Sequence, residues 1–180
     1  MSMQQATSRY GIDDADASEV AVLAEVDRAA SALFAPTGLL SAEALNDHVP
    51  VDILASAAET GDLFTARLET GDAIGFALVS LRGGTLYLDQ ISVHPDHGQR
   101  GIGASLLTRV VDEAKNRRLR RVTLSTFRDL PWNGPFYAKH GFREIKRSDM
   151  ADWMLELERI QAEELDVSKR CFMMRKLGWL

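Results

Sequence analysis

Apolar positions keep helical spacing in some stretches of the chain and alternate in others, and the switches mark its elements. Tyr10 to Ile12 reads as a short first strand. With Ser18 as N-cap, Val20, Leu23, Val26, Ala30 and Leu33 form the buried stripe of a helix to about Phe34. A second helical patch starts near Ser41, where Ser41 and Glu43 precede Leu45, and a third spans about Asp52 to Ala58. The period then changes to that of strands. Asp62 to Glu69 and Ala73 to Leu81 are joined by Thr70-Gly71-Asp72, a hairpin signal, and Arg82-Gly83-Gly84 leads into Thr85 to Val93. Three strands with short turns predict an antiparallel meander.

After a glycine-containing loop, Leu106, Leu107, Val110, Val111 and Ala114 keep helical spacing until Asn116. Arg121 to Phe127 is the next strand, and a strand–helix–strand unit implies that it runs parallel to Thr85–Val93. Pro135 to His140 makes a short helix, with Asn133 able to cap it and Gly141 at the C′ position. Phe142 to Lys146, Asp149 to Leu165 and Lys169 to Leu177 follow as strand, amphipathic helix and strand. No repeat or linker divides the 180 residues, and 46% apolar content suits one filled core. The expected fold is α/β (α+β): one domain over 1–180, with a mixed, mainly antiparallel sheet, a parallel central strand pair and flanking helices.

The strand Thr85–Val93 breaks its own period. Leu86 and Leu88 share one face and Ile91 and Val93 the other, so strict alternation cannot bury all four together. Either the strand is buried on both faces, or an extra residue near Asp89-Gln90 makes a β-bulge. Just beyond it, Gly101 and Gly103 turn the chain into a helix N-terminus. Free helical N–H groups and the positive dipole end there suit a pyrophosphate.

Charge narrows the partners. The net charge of −5, from 26 acidic against 21 basic residues, disfavours nucleic acid and mildly favours a cationic partner such as an amine. The basic run Lys115 to Arg121 sits at a helix C-terminus without interleaved aromatics and reads as a solvated face. The single cysteine, Cys171, permits no internal disulfide and reads as a small buried residue. Met1 to Val20 lacks a signal-peptide core, and no run reaches the roughly 18 apolar residues of a membrane span. The expected setting is cytoplasmic, with no membrane partner. His94 and His97 with Asp96 lack a third imidazole or a cysteine, so no metal is expected; His48 and His140 read as surface residues.

Among phosphate binders, a Walker loop needs Gly-Lys-Ser/Thr, whereas Gly103 is followed by Ala104-Ser105. A dinucleotide fingerprint needs a third Gly or Ala where Leu106 stands, and an acidic residue about 20 positions on. Neither fits. Ile91-Ser92-Val93-His94-Pro95 and Gly101-Ile102-Gly103-Ala104, followed by Asn133-Gly134-Pro135-Phe136-Tyr137-Ala138-Lys139-His140-Gly141-Phe142, resemble the GNAT superfamily of acetyl-CoA-dependent N-acetyltransferases over nearly the whole chain. One departure stands out: the polar first position of the glycine signature falls on Gly98 with Gln99 beside it, as though the two had exchanged places.

The resemblance implies acetyl-CoA as cosubstrate and direct attack of a small amine acceptor on its thioester. Backbone groups at Ile91, Ser92 and Val93 would bind pantetheine and polarise the carbonyl. His97, Gly98, Gln99, Arg100, Gly101, Gly103 and Ala104 would hold the diphosphate, with Gln99 and Arg100 competing as its side-chain support. Asn133 and Phe136 match the segment along the CoA chain, where Asn133 binds CoA or only caps its helix. Tyr137 would protonate the leaving thiolate; its bland alternative is packing. Asp89, at the suspected bulge, is the base or merely satisfies bulge N–H groups. Thr126-Phe127-Arg128-Asp129-Leu130-Pro131-Trp132-Asn133 resembles the loop of a bacterial GNAT group, a motif that does not disclose the acceptor. By position Trp132 walls the acceptor pocket or seals the sheet edge, and Phe34 is expected to face the same cleft. A CoA-binding sensor without turnover and a nucleotide-binding protein are the rival readings. The last strand either completes a monomer's sheet or pairs across a homodimer.

Overall fold

The computed structural model describes residues 9–178. The reading of Met1 to Val20 falls partly on residues 1–8, outside the described residues. One mixed sheet contains β1 (Tyr10–Asp14), β2 (Leu63–Leu68), β3 (Ala73–Arg82), β4 (Thr85–Val93), β5 (Arg121–Phe127), β6 (Arg143–Glu144) and β7 (Arg170–Lys176). The strands lie in the order β1-β2-β3-β4-β5-β7-β6. β4 and β5 are parallel and the other neighbours antiparallel, as the strand–helix–strand unit demanded. The helices are α1 (Val20–Ser31), α2 (Val51–Thr60), α3 (Ile102–Asn116), α4 (Gly134–Lys139) and α5 (Asp152–Gln161).

Several boundaries differ from expectation for local reasons. Asp16, not Ser18, caps the first helical segment: its carboxylate accepts from the Ser18 N–H and Glu19 accepts from the Asp16 N–H, both at 2.8 Å. α1 stops at Ser31, and the 3₁₀ turn Ala32–Thr37 takes Leu33 out of the buried stripe, leaving it 49% exposed. The helix expected near Ser41 is only the turn Ala44–Asn46. α5 is shorter than Asp149–Leu165 because Met150 is extended, separating it from the turn Arg147–Asp149. β6 keeps two residues at the sheet edge, where one side has no partner strand.

The two faces are unlike. α3 and α4 cover one, where Leu86, Leu88, Ile102, Leu106, Val110, Tyr137 and Phe142 share a core. Leu23 and Leu54, from α1 and α2, pack with Leu63 and Phe76 on the other. Tyr87 alternates with Leu86 and Leu88, so its cluster with Met154 of α5 and Phe172 of β7 lies on that second face too. Between α1 and α5 the second face is open over the junction of β4 and β5. Leu106 is fully buried beneath the sheet. Leu106→Ala should lower unfolding free energy by about 2–5 kcal/mol in a denaturant titration.

Candidate active site

The site begins with one extra residue. Across β3 and β4, Leu78 pairs with Gln90 but Val79 with Leu88, leaving Asp89 as the bulge. That insertion flips the phase, so Ile91 and Val93 join Leu86 and Leu88 against the α3 core. The β4–β5 ladder ends at the pair Leu88–Leu124. Beyond it the strands part, and a cleft of about 950 Å³ opens between them.

On the α3 face, the cleft wall includes His97, Gly98, Gln99, Gly101, Gly103 and Ala104. Gly101 caps α3 in the left-handed region, φ +78°, and its carbonyl accepts the first helical bond, from Ser105 N–H at 3.0 Å. The N–H groups of Ile102, Gly103 and Ala104 therefore have no intrahelical acceptor. The Gly98-Gln99 exchange has a backbone consequence. Gln99 takes φ +57°, which glycine tolerates best, while Gly98 sits at φ −61°. Gln99 lines the cleft and Arg100 does not; Arg100 donates to His97 Nδ1 at 3.0 Å and so steadies the loop.

Asn133, Phe136 and Tyr137 complete this side. Asn133 makes no side-chain cap, contrary to one reading of it, and its Oδ1 is buried without a partner. Gly134 is required for packing: a Cβ there would meet the Arg128 carbonyl oxygen at 2.1 Å. Tyr137 is buried, with its pKa driven far up by desolvation, further by Tyr87, and opposed by the positive charge of Arg170.

The opposite half faces α1 and α5. Asp89 lines it, and its Oδ1 accepts from Arg82 at 3.2 Å while Oδ2 is buried and unpartnered. Its carboxylate thus bonds a guanidinium in place of the bulge N–H groups. Burial raises its pKa, against the lowering effects of Ser80 and Arg82. Asp27, missed in the sequence, is a buried acid within the apolar stripe of α1. It accepts from Ser92 Oγ at 2.6 Å, Gln90 Nε2 at 2.7 Å and Val49 N–H at 2.8 Å, tying α1 to the bulged strand. A charged residue seven positions after Val20 was the available signal. Phe34, Phe127 and Trp132 form an aromatic wall, with ring centroids 5.7 Å and 6.0 Å from Phe34. Trp132 therefore walls the cleft, and Phe34 faces it as anticipated.

Elsewhere, Cys171 is buried as expected, and burial pushes its thiol up to about 11. Within the basic run, Arg117 pairs with Asp62 and Glu113, each at 2.7 Å. Among the described residues no cluster of His, Cys, Asp and Glu gathers to hold a metal, and no helix is long and apolar enough to cross a membrane.

Solved structures share this arrangement of sheet and helices. PaiA N-acetyltransferase of Thermoplasma acidophilum, in complex with coenzyme A, superposes with a TM-score of 0.70 at 17% identity, over 94% of this chain and 99% of that one. The ribosomal-protein-S18-alanine N-acetyltransferase of Escherichia coli gives 0.66 at 16% identity, over 96% of both chains. The N-acetylglutamate synthase of Neisseria gonorrhoeae, complexed with coenzyme A and N-acetyl-glutamate, gives 0.69 at 16% identity, over 96% of this chain and 36% of that one. The fold is thus that of acyltransferases. The Acetyltransferase (GNAT) family model matches residues 32–142, more than half of the chain, which therefore belongs to that family. Mycothiol acetyltransferase of Nocardiopsis dassonvillei is 36% identical over 105 residues, 57% of this chain but only 29% of that relative's length.

Two outcomes check this geometry. Asp27→Ala strands two side-chain donors and one backbone N–H, and should cost about 2–4 kcal/mol in chemical denaturation, with Asp27→Asn recovering part. Burial raises Tyr87 to about 12. Because its ionised form is disfavoured in the fold, the associated stability is present below the free phenol value of about 10 and is lost as pH rises toward 12. Ultraviolet titration of wild type against Tyr87→Phe should place the missing ionisation near that upper value.

Proposed function

We propose that the chain transfers the acetyl group of acetyl-CoA to a primary amine of a small acceptor, by direct attack in a ternary complex. The observation that carries this reading is the split of β4 from β5 beyond Leu88 and Leu124. It frees the β5-facing peptide groups of Ile91 and Val93 beside the α3 N-terminus, Ser92 being taken up by Phe76 of β3, in a cleft reachable from both faces of the sheet. An acyl carrier enters along the α3 face, its diphosphate on the N–H groups of the Gly101–Ala104 turn. Its pantetheine arm pairs with the free edge of β4, and the unpartnered Asn133 Oδ1 accepts from one of its amide N–H groups.

The amine approaches from the α1 and α5 face. Asp89 takes its proton, directly or through one water; desolvation makes this carboxylate a stronger base than a solvated one. Attack on the thioester forms a C–N bond and a tetrahedral oxyanion, which β4 N–H groups stabilise. Collapse breaks the C–S bond, Tyr137 gives its proton to the departing thiolate, and the second proton of the attacking nitrogen, shed as the amide forms, passes through water to restore the phenol. Burial keeps that phenol protonated in the resting site and raises the cost of ionising it, a cost that the Arg170 charge offsets in part.

Thiol release from acetyl-CoA with an amine panel tests the assignment. Tyr137→Phe should lower turnover by about 10²-fold or more while acetyl-CoA still binds. An unchanged rate removes Tyr137 from the mechanism, and binding without turnover by any amine makes the chain a CoA sensor. Protonating Asp89 removes the base, so kcat/KM should fall on the acid side at a pH above the ordinary carboxylate range. Asp89→Asn should abolish that limb; its persistence would assign the proton transfer elsewhere.

A further inference from the structure

Arg170 opens β7 opposite Phe127, on the face of the sheet turned toward α1 and α5, and it lines the cleft. Its guanidinium has five N–H donors, yet among the described residues it donates one hydrogen bond, from Nη2 to Ser125 Oγ at 3.2 Å. Nε is buried without a partner. Other half-buried arginines are neutralised: Arg67 by Asp13 and Glu19, Arg109 by Asp14 and Glu113, Arg117 by Asp62 and Glu113. No described carboxylate comes within 4.0 Å of Arg170.

The side chain is nevertheless held in place. Its guanidinium stacks 4.7 Å from the Phe127 ring centroid, and its carbonyl accepts from Arg128 Nη2 at 2.9 Å. Arg128 is fixed in turn on Glu144 at 3.0 Å. A desolvated, immobilised cation without a counter-ion, facing a substrate-sized space, is an incomplete ion pair. The donor's phosphates cannot complete it, because the glycine turn that suits them is on the other face.

Resting on the acetyltransferase reading of the same cleft, we propose that the acceptor bears a carboxylate, bound by Arg170 with the Ser125 hydroxyl alongside. The acceptor is then an amino acid or an equivalent amino-carboxylate. Asp89 takes the ammonium proton, Arg170 holds the carboxylate, and Phe34, Phe127 and Trp132 enclose the remainder. Arg170 and Tyr137 line the same cleft, so a carboxylate held by Arg170 shares it with the attacked carbonyl. The net charge of −5 mildly favoured a cationic partner such as an amine; Asp89 and Arg170 in this half of the cleft point to a zwitterion.

The test uses binding and turnover together. CoA-saturated protein is titrated calorimetrically with N-acetyl amino acids and their C-terminal amides, N-acetylphenylalanine and its amide among them, and the free amino acids and amides are compared in thiol release. At least one acid should bind more tightly than its amide by about tenfold or more. Arg170→Gln should bring that ratio to near one, and Arg170→Lys should retain part of it. A panel in which no acid outbinds its amide contradicts the proposal, as does a folded Arg170→Gln that weakens acid and amide equally. If Arg170→Gln fails to fold, the wild-type ratio decides. An acid-over-amide preference in binding with no turnover of any amine keeps the carboxylate site and removes the transferase assignment.

Discussion

Everything in the cleft depends on one unpaired residue in β4. Asp89 has no ladder partner on β3, and from that point β4 turns Ile91 and Val93 to the α3 face while parting from β5. A regular strand here would keep its ladder with β5 and close the sheet. The bulge does three things at once: it frees backbone groups, opens a passage between the faces and aims a carboxylate into it.

Such a split exposes polar backbone, so neighbouring elements must hold it. Asp27 does so from α1 through Ser92 and Gln90, and Arg82 from β3 through Asp89. The buried side-chain atoms left without partners among the described residues are Asp89 Oδ2, Asn133 Oδ1 and Arg170 Nε, and all three residues line the cleft. Among the described residues the other buried side-chain nitrogen and oxygen atoms have hydrogen-bond partners, as folding requires. Concentrating unmet donors and acceptors in one cavity is what a site awaiting a polar ligand looks like. Two acceptors and one donor, spread over both halves, match a donor molecule with amide N–H groups and an acceptor with an ammonium and an anionic end.

Most of this architecture was legible in the chain because it rests on local patterns. The phase break among Leu86, Leu88, Ile91 and Val93 allowed a strand buried on both faces or a bulge near Asp89-Gln90, of which the structure has the bulge, and the glycine turn located the α3 N-terminus. Where tertiary contacts decide, the sequence was mute or misleading. Ser18 and Asp16 are both good caps, and only the reach of Glu19 back to Asp16 selects between them. Asn133 reads equally as a cap or as a CoA ligand until its Oδ1 is seen buried and unbonded in the cleft, with no cap made. Asp27 and Arg170 are far from the glycine signature in sequence, so nothing local ties them to it. Their roles come from which face each strand and helix turns inward.

The central claim is that the split of β4 from β5 is the docking edge for the acyl carrier. Residue-resolved amide hydrogen exchange, with and without acetyl-CoA, tests it most directly. In the free protein the amides of Leu86–Leu88, inside the paired ladder, should be protected already, whereas those of the 90–93 segment that face β5 and those of Ile102–Ala104 should exchange readily. Acetyl-CoA should slow exchange in these two segments together and leave Leu86–Leu88 unaltered. Binding of acetyl-CoA with no added protection at the 90–93 segment would contradict the account.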